Sequence, residues 1–140
     1  MGWLRVIVRV IAYLWATPTT LGGLLFLVPM WALGQLRPMR WRDGVWEWGV
    51  VPRSWLWRRY SVRGWSGTTL GYCVFYSPGM ERRRDVVIHE RRHVWQVLWF
   101  GPLFFPLYAV CHLIWGYRAN PFERDAYAWE RRTHSPTETG

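Results

Sequence analysis

The longest uncharged stretch of the chain is residues 10–36, VIAYLWATPTTLGGLLFLVPMWALGQL. A bilayer core takes about 20 apolar residues, so this segment is long enough to cross one. Thr17-Pro18-Thr19-Thr20, Gly22-Gly23 and Pro29 interrupt it, and such residues bend or end helices. Two geometries fit: a kinked helix that spans, or an interfacial helix over residues 3–16 that turns at the Pro-Thr-Thr segment into a second hydrophobic helix. Arg5 and Arg9 share a helical face, with Trp3, Leu4, Ile7, Ile11 and Leu14 left for the lipid side. A cleaved signal peptide fits less well, because the apolar stretch continues past any suitable cleavage point.

After residue 42 the pattern shortens to strands. Residues 45–51, 55–60 and 68–76 are rich in Trp, Val and Tyr and are bounded by Asp43-Gly44, Val51-Pro52, Arg63-Gly64 and Ser77-Pro78-Gly79. These signals predict a small antiparallel sheet. Gly71 would weaken the third strand unless another backbone, such as a bound peptide, comes close there. From about residue 79 to 100 the period becomes helical. Val86, His89, Glu90, His93, Gln96 and Val97 fall on one side, with Arg84, Arg91, Arg92, Trp95 and Trp99 away from it.

A second apolar run, residues 97–116, is broken early by Gly101-Pro102 and Pro106 and predicts a re-entrant or interfacial hairpin. Asn120-Pro121 then opens a last helix as N-cap and first helical residue, with Glu123 where a capping-box acid would stand. The tail, residues 133–140, reads as disordered. The organisation expected is therefore α+β in one domain, residues 37–132, with a hydrophobic helix or helical hairpin over residues 1–36 before it.

Composition sharpens the membrane reading. Hydrophobic residues are 51% of the chain and Trp occurs 13 times, a usage suited to a membrane-water interface. The net charge is +9 and all 18 basic residues are Arg, which implies attraction to anionic surfaces. No nucleic-acid-binding motif accompanies that charge, so no nucleic acid partner is expected. Residues 37–92 hold 12 Arg against 5 acidic residues, which by the positive-inside tendency keeps this section cytoplasmic. Cys73 and Cys111 lie in apolar surroundings with no metal-ligand spacing and read as buried thiols.

The candidate chemistry is in His89-Glu90-Arg91-Arg92-His93. Two histidines one helical turn apart can reach one zinc ion, and the intervening Glu90 can act as general base on water at an open position. Glu123, Asp125, Glu130 and His112 are the candidates for a third ligand. Glu123 is favoured, 30 residues after His93 at the start of a helix that can return antiparallel, although it could serve only as a cap. Tyr117 or Tyr127 could assist at a developing oxyanion.

HExxH followed by Glu123-Arg124-Asp125-Ala126 resembles the gluzincin metallopeptidases, and the size resembles their small members, the minigluzincins. HExxHxxQ with NPFExxAY is similar to short bacterial membrane proteins, which places the chain in an inner membrane with the site on the cytoplasmic side. The resemblance covers residues 68–130. It implies His89, His93 and Glu123 as zinc ligands, Glu90 as general base, and an edge strand, Thr69, Leu70, Gly71, Tyr72 and Cys73, along which an extended peptide substrate would lie. Related membrane proteases carry Asp where Tyr127 stands, an acid that supports a ligand histidine; Asp125 or Asn120 could replace it, and Gln96 could bridge to the ligand helix. The function expected is a zinc metallopeptidase at the lipid bilayer acting on a peptide or protein. The competing expectation is a non-catalytic membrane assembly protein with a structural metal or none.

Overall fold

A computed structural model describes residues 2–61 and 64–134. The order is α1 (Gly2–Ala32), β1 (Leu36–Arg42), β2 (Val45–Val50), α2 (Trp55–Ser61), β3 (Gly67–Leu70), β4 (Cys73–Tyr76), a 3-10 turn (Met80–Arg82), α3 (Arg84–Phe100), a second 3-10 turn (Gly101–Leu103), α4 (Phe104–Ala119) and α5 (Pro121–His134). The α+β class is as expected, and the details differ in four places.

First, the sheet is mixed rather than antiparallel, in the order β1-β2-β4-β3. β4 pairs parallel with β2 and antiparallel with β3. The chain leaves β2 through α2 and returns by the β3–β4 hairpin, so β4 enters the sheet in the direction of β2. Second, residues 55–60 are helical, not extended. Ser54 Oγ accepts the Trp57 amide at 3.1 Å, an N-cap that overrides the strand propensity of the Trp residues, and Leu56 buries in the core.

Third, residues 68–76 are two strands, not one. Gly71 sits between them at φ 68°, a left-handed conformation natural to glycine. A Cβ there would lie 2.5 Å from Thr20 Cα, and Tyr72 N–H donates to Thr20 Oγ1 at 3.2 Å. The close backbone is thus α1, not a peptide. Fourth, β1 was unforeseen in its Arg-rich sequence. It is an edge strand with a register shift between Pro38 and Arg40, which accommodates proline. Strand β2 beside it carries Glu47, fully buried and paired with Arg40, Arg42 and, from α3, Arg91.

α1 runs unbroken through Pro18, Gly22-Gly23 and Pro29, so the turn into a second helix, the other expectation at the Pro-Thr-Thr segment, does not occur. Thr17 and Thr20 hydroxyls donate to the Tyr13 and Ala16 carbonyls. Its 31 residues extend about 46 Å at 1.5 Å each, more than a bilayer core. Ala16, Thr19, Thr20, Gly23 and Leu27 bury against the protein, while Trp3, Leu4, Ile7, Ile11 and Leu14 are exposed. Both α1 and the helical stretch Arg84–Ala119 are long and apolar enough to cross a membrane.

The sheet separates two core layers. Leu27, Leu36, Trp48, Val50, Leu56, Cys73 and Phe75 pack on the α1 and α2 side; Val45, Val74 and Tyr76 pack with Val94 on the α3 side. Alternation along β4 supplies both faces. Cys73 is a buried free thiol pushed up to about 12 by burial, and Cys111 is free and half-buried. The expected apolar hairpin is the end of α3, the Gly101–Leu103 turn and α4. Gly116 at φ 71° interrupts α4 and turns the chain toward α5, which packs along α3. Thr133 and His134 continue α5, while the rest of the expected tail, 135–140, lies outside the described residues.

Gly71→Ala is expected to destabilise the fold by roughly 2–4 kcal/mol, combining a left-handed backbone cost with overpacking. Thermal unfolding in detergent measures it, and an unchanged midpoint would mean that α1 does not seat on this turn.

Candidate metal centre

α3 begins after the Met80–Arg82 turn and ends at Gly101, a shorter helix than the periodicity predicts at its N-terminal end. Its buried residues are His89, Glu90, His93, Val94, Gln96 and Val97, which is the face the spacing of three and four selects. Arg91 and Arg92, between the histidines, are not idle. Arg91 donates to Asp43 at 2.8 Å and approaches Glu47 at 3.5 Å. Arg92 holds Asp125 through both carboxylate oxygens, at 2.7 and 3.0 Å, and lies over the Trp95 and Trp129 rings. One arginine clamps the motif helix to the β1–β2 hairpin and the other clamps it to α5.

α5 starts at an Asn120 cap, whose Oδ1 accepts the Phe122 amide at 3.0 Å. Its Nδ2 donates to the Tyr108 carbonyl, so Asn120 ties α5 to α4 and touches neither histidine. Glu123 does not close a capping box. Its carboxylate turns to α3, 3.2 Å from His89 Nε2 and 3.3 Å from His93 Nε2, and the two Nε2 atoms are 3.2 Å apart.

The protonation pattern of His93 follows from its partner. Gln96 Nε2 donates to the Phe122 carbonyl at 3.0 Å and to Asp125 at 2.8 Å, so its Oε1 is left to accept. His93 Nδ1, 2.9 Å from that oxygen, therefore donates, and Nε2 presents a lone pair to the cluster. His89 Nδ1 lies 3.4 Å from Glu130 Oε2 without a hydrogen bond of good geometry. Glu123 Oε2 is buried and has no hydrogen-bond partner.

These donors fit a metal. At zinc bond lengths of about 2.0–2.1 Å and tetrahedral angles, ligand atoms stand about 3.3 Å apart; the two Nε2 atoms have that spacing, and each has one Glu123 oxygen at a similar distance, Oε2 for His89 and Oε1 for His93. His89, His93 and Glu123, all buried, form a group that could hold a metal ion. Burial by itself would raise the Glu123 carboxyl, but the adjacent His89 and His93 imidazoles and the Tyr108 hydroxyl outweigh it and hold the group well below the usual carboxylate range. Hydrogen bonds from Arg92 likewise hold Asp125 below its ordinary value, against a smaller opposing effect of burial.

Glu90 is buried next to the cluster. Thr69 Oγ1 lies 2.8 Å from Glu90 Oε2 and 3.1 Å from the Glu90 carbonyl, sharing one proton between them. A Cβ on Gly67 would come within 3.0 Å of Glu90 Oε1, so the strand end must be bare for this carboxylate to fit. Of the five residues expected on a substrate edge, Thr69 and Leu70 lie in β3, which has one neighbour in the sheet. Gly71 and Tyr72 form the turn, and Cys73 is interior in β4.

A groove of about 1680 Å³ runs between β3, α3, α4 and α5, with His89, Glu90, His93 and Glu123 in its wall. Tyr117 and Tyr127 line it with hydroxyls 3.5 Å apart, and the Tyr127 ring packs on His89 with centroids 4.4 Å apart. Tyr108, missed in the sequence, donates to Glu123 Oε1 at 2.7 Å. Its only signal was a hydroxyl within an otherwise apolar run. His112 stacks on Tyr108 and is not in the metal-holding group.

Gln96→Ala removes the acceptor that orients His93. It is expected to weaken metal binding about 10- to 100-fold while leaving the helix content unchanged, as read by chelator competition and circular dichroism. Unchanged affinity would show that His93 needs no such support.

Comparison with protein-family models, curated proteins and solved structures returned no match.

Proposed function

We propose that the protein is a membrane-associated zinc metallopeptidase with His89, His93 and Glu123 as zinc ligands and Glu90 as general base. The observation that carries this reading is the convergence of three buried residues whose ligand atoms all lie within 4.8 Å of one another, beside a carboxylate outside the donor set. A structural zinc site is closed by four protein donors, whereas a catalytic one keeps a position open. Among the described residues the group holds three. The gluzincin resemblance of HExxH and the downstream Glu points the same way.

When bound, zinc would supply a Lewis acid for a substrate carbonyl and for water. The chain's own residues do the rest. Thr69 orients one oxygen of Glu90, leaving the other to take a proton and pass it to the leaving amine. The free edge of β3 offers main-chain hydrogen bonds to an extended peptide, a few residues from Glu90's partner Thr69. Gln96 and Tyr108 hold His93 and Glu123 in place. The exposed apolar faces of α1 and α4 anchor the enzyme in lipid, and the Arg-rich section between them favours the cytoplasmic side.

Protein purified in detergent is expected to carry about one zinc per chain. Glu90→Gln should keep that zinc and lose peptide hydrolysis by about 100-fold or more; His93→Ala and Glu123→Gln should lose zinc and activity together. Zinc content unaffected by either ligand substitution would overturn the assignment, and hydrolysis surviving in Glu90→Gln would remove its general base.

A further inference from the structure

An apolar cavity of about 640 Å³ lies on the other side of the edge strand from Glu90, walled by Gly22 and Phe26 of α1, Trp65, Leu70 of β3, Phe75 of β4 and Phe105 of α4. Its size is that of a ligand pocket. It adjoins the metal-site groove, with Trp65, Thr68, Leu70 and Phe105 bordering both. Among the described residues, no charged residue lines it.

We propose that this cavity is a substrate subsite for a bulky apolar side chain of a polypeptide paired along β3, so that the substrate class is a protein cut next to an apolar, membrane-inserted segment. The inference rests on the peptidase reading and names its substrate. The geometry of strand addition carries it. Successive side chains of an added strand point to opposite faces of the sheet. On β3, Thr69 faces Glu90 on the α3 side, while Leu70 packs with the α1-side core. A peptide extending the sheet would present one residue toward the metal site and its neighbour toward the cavity.

A polypeptide fits better than a lipid chain because β3 has one neighbour in the sheet, and the N–H and C=O groups of its free edge ask for a main-chain partner that an acyl chain cannot supply. An apolar, membrane-inserted segment follows from the surroundings. The cavity's α1 and α4 walls are flanked by exposed Leu21, Leu25, Leu103 and Leu107, the band that would meet lipid.

The test uses full-length protein in micelles. Two fluorescein-labelled synthetic peptides, identical except for a central leucine or serine run, are titrated against Glu90→Gln protein and followed by anisotropy. Gly22 is the position to fill, because a Cβ there meets nothing within 4 Å. The leucine peptide is expected to bind at least about tenfold tighter than the serine peptide, a gap set by several buried methylene groups. Gly22→Leu should abolish that preference with zinc content unchanged, and Gly22→Ala should retain it. Equal binding of the two peptides, or a preference that survives Gly22→Leu, overturns the subsite. So does a photo-crosslinker at Phe26 that labels phosphatidylcholine and is not displaced by the leucine peptide. The peptidase reading fails separately: a Gly22-dependent preference in protein without zinc or hydrolysis leaves a binding site and no enzyme. Zinc-dependent hydrolysis of both peptides at equal rates leaves an enzyme without this subsite.

Discussion

Two imidazole nitrogens buried 3.2 Å apart, each beside one oxygen of the Glu123 carboxylate, repel unless a cation or shared protons stand among them, and much of the architecture serves to hold them there. The cost of burying such groups is high, and two of the three are braced. Gln96 fixes the His93 ring, Tyr108 holds one Glu123 oxygen, and the Arg92–Asp125 pair holds Gln96 in turn. The network is continuous from α3 through α5, and it leaves Glu123 Oε2 and His89 Nδ1 without a hydrogen-bond partner.

The arginines within the HERRH motif explain why the helix cannot swivel away from this arrangement. Arg91 reaches the buried Glu47 and the β1–β2 turn, and Arg92 reaches Asp125. Glu47 is fully enclosed, and an enclosed carboxylate requires partners; Arg40, Arg42 and Arg91 supply them. The charge excess that reads as general basicity is therefore spent in part on internal bracing. Only the remainder is available to a membrane surface.

The inward face of α3 was legible because side chains three and four apart share a helix face whatever packs on it, and the same rule placed Gln96 with the histidines. The Asn120 cap was legible from its Asn-Pro sequence. The role of Glu123 was not, because a capping acid and a ligand acid occupy the same position until the helix is docked. Strand propensity misread residues 55–60, where the Ser54 cap prevailed, and merged β3 with β4 because Gly71 was taken as interior to a strand. Tyr108 was invisible because its partner Glu123 sits on another helix and no local period announces the pair, and β1 because its Arg-rich, proline-containing sequence carries little strand propensity.

The placement of α1 links the two halves of the problem. A helix with so many exposed apolar residues in its first three turns is long and apolar enough to cross a membrane, yet its middle is pressed against the β3–β4 turn closely enough that Gly71 has no room for a side chain. The edge strand of the groove is thus held by α1 itself. Placement of α1 and positioning of β3 are coupled through the contact of Thr20 with the Gly71–Tyr72 turn. With α1 in a bilayer, as proposed, this edge strand would lie at the boundary between lipid and the polar site, and a polypeptide leaving the bilayer there would meet β3 before it met the histidines.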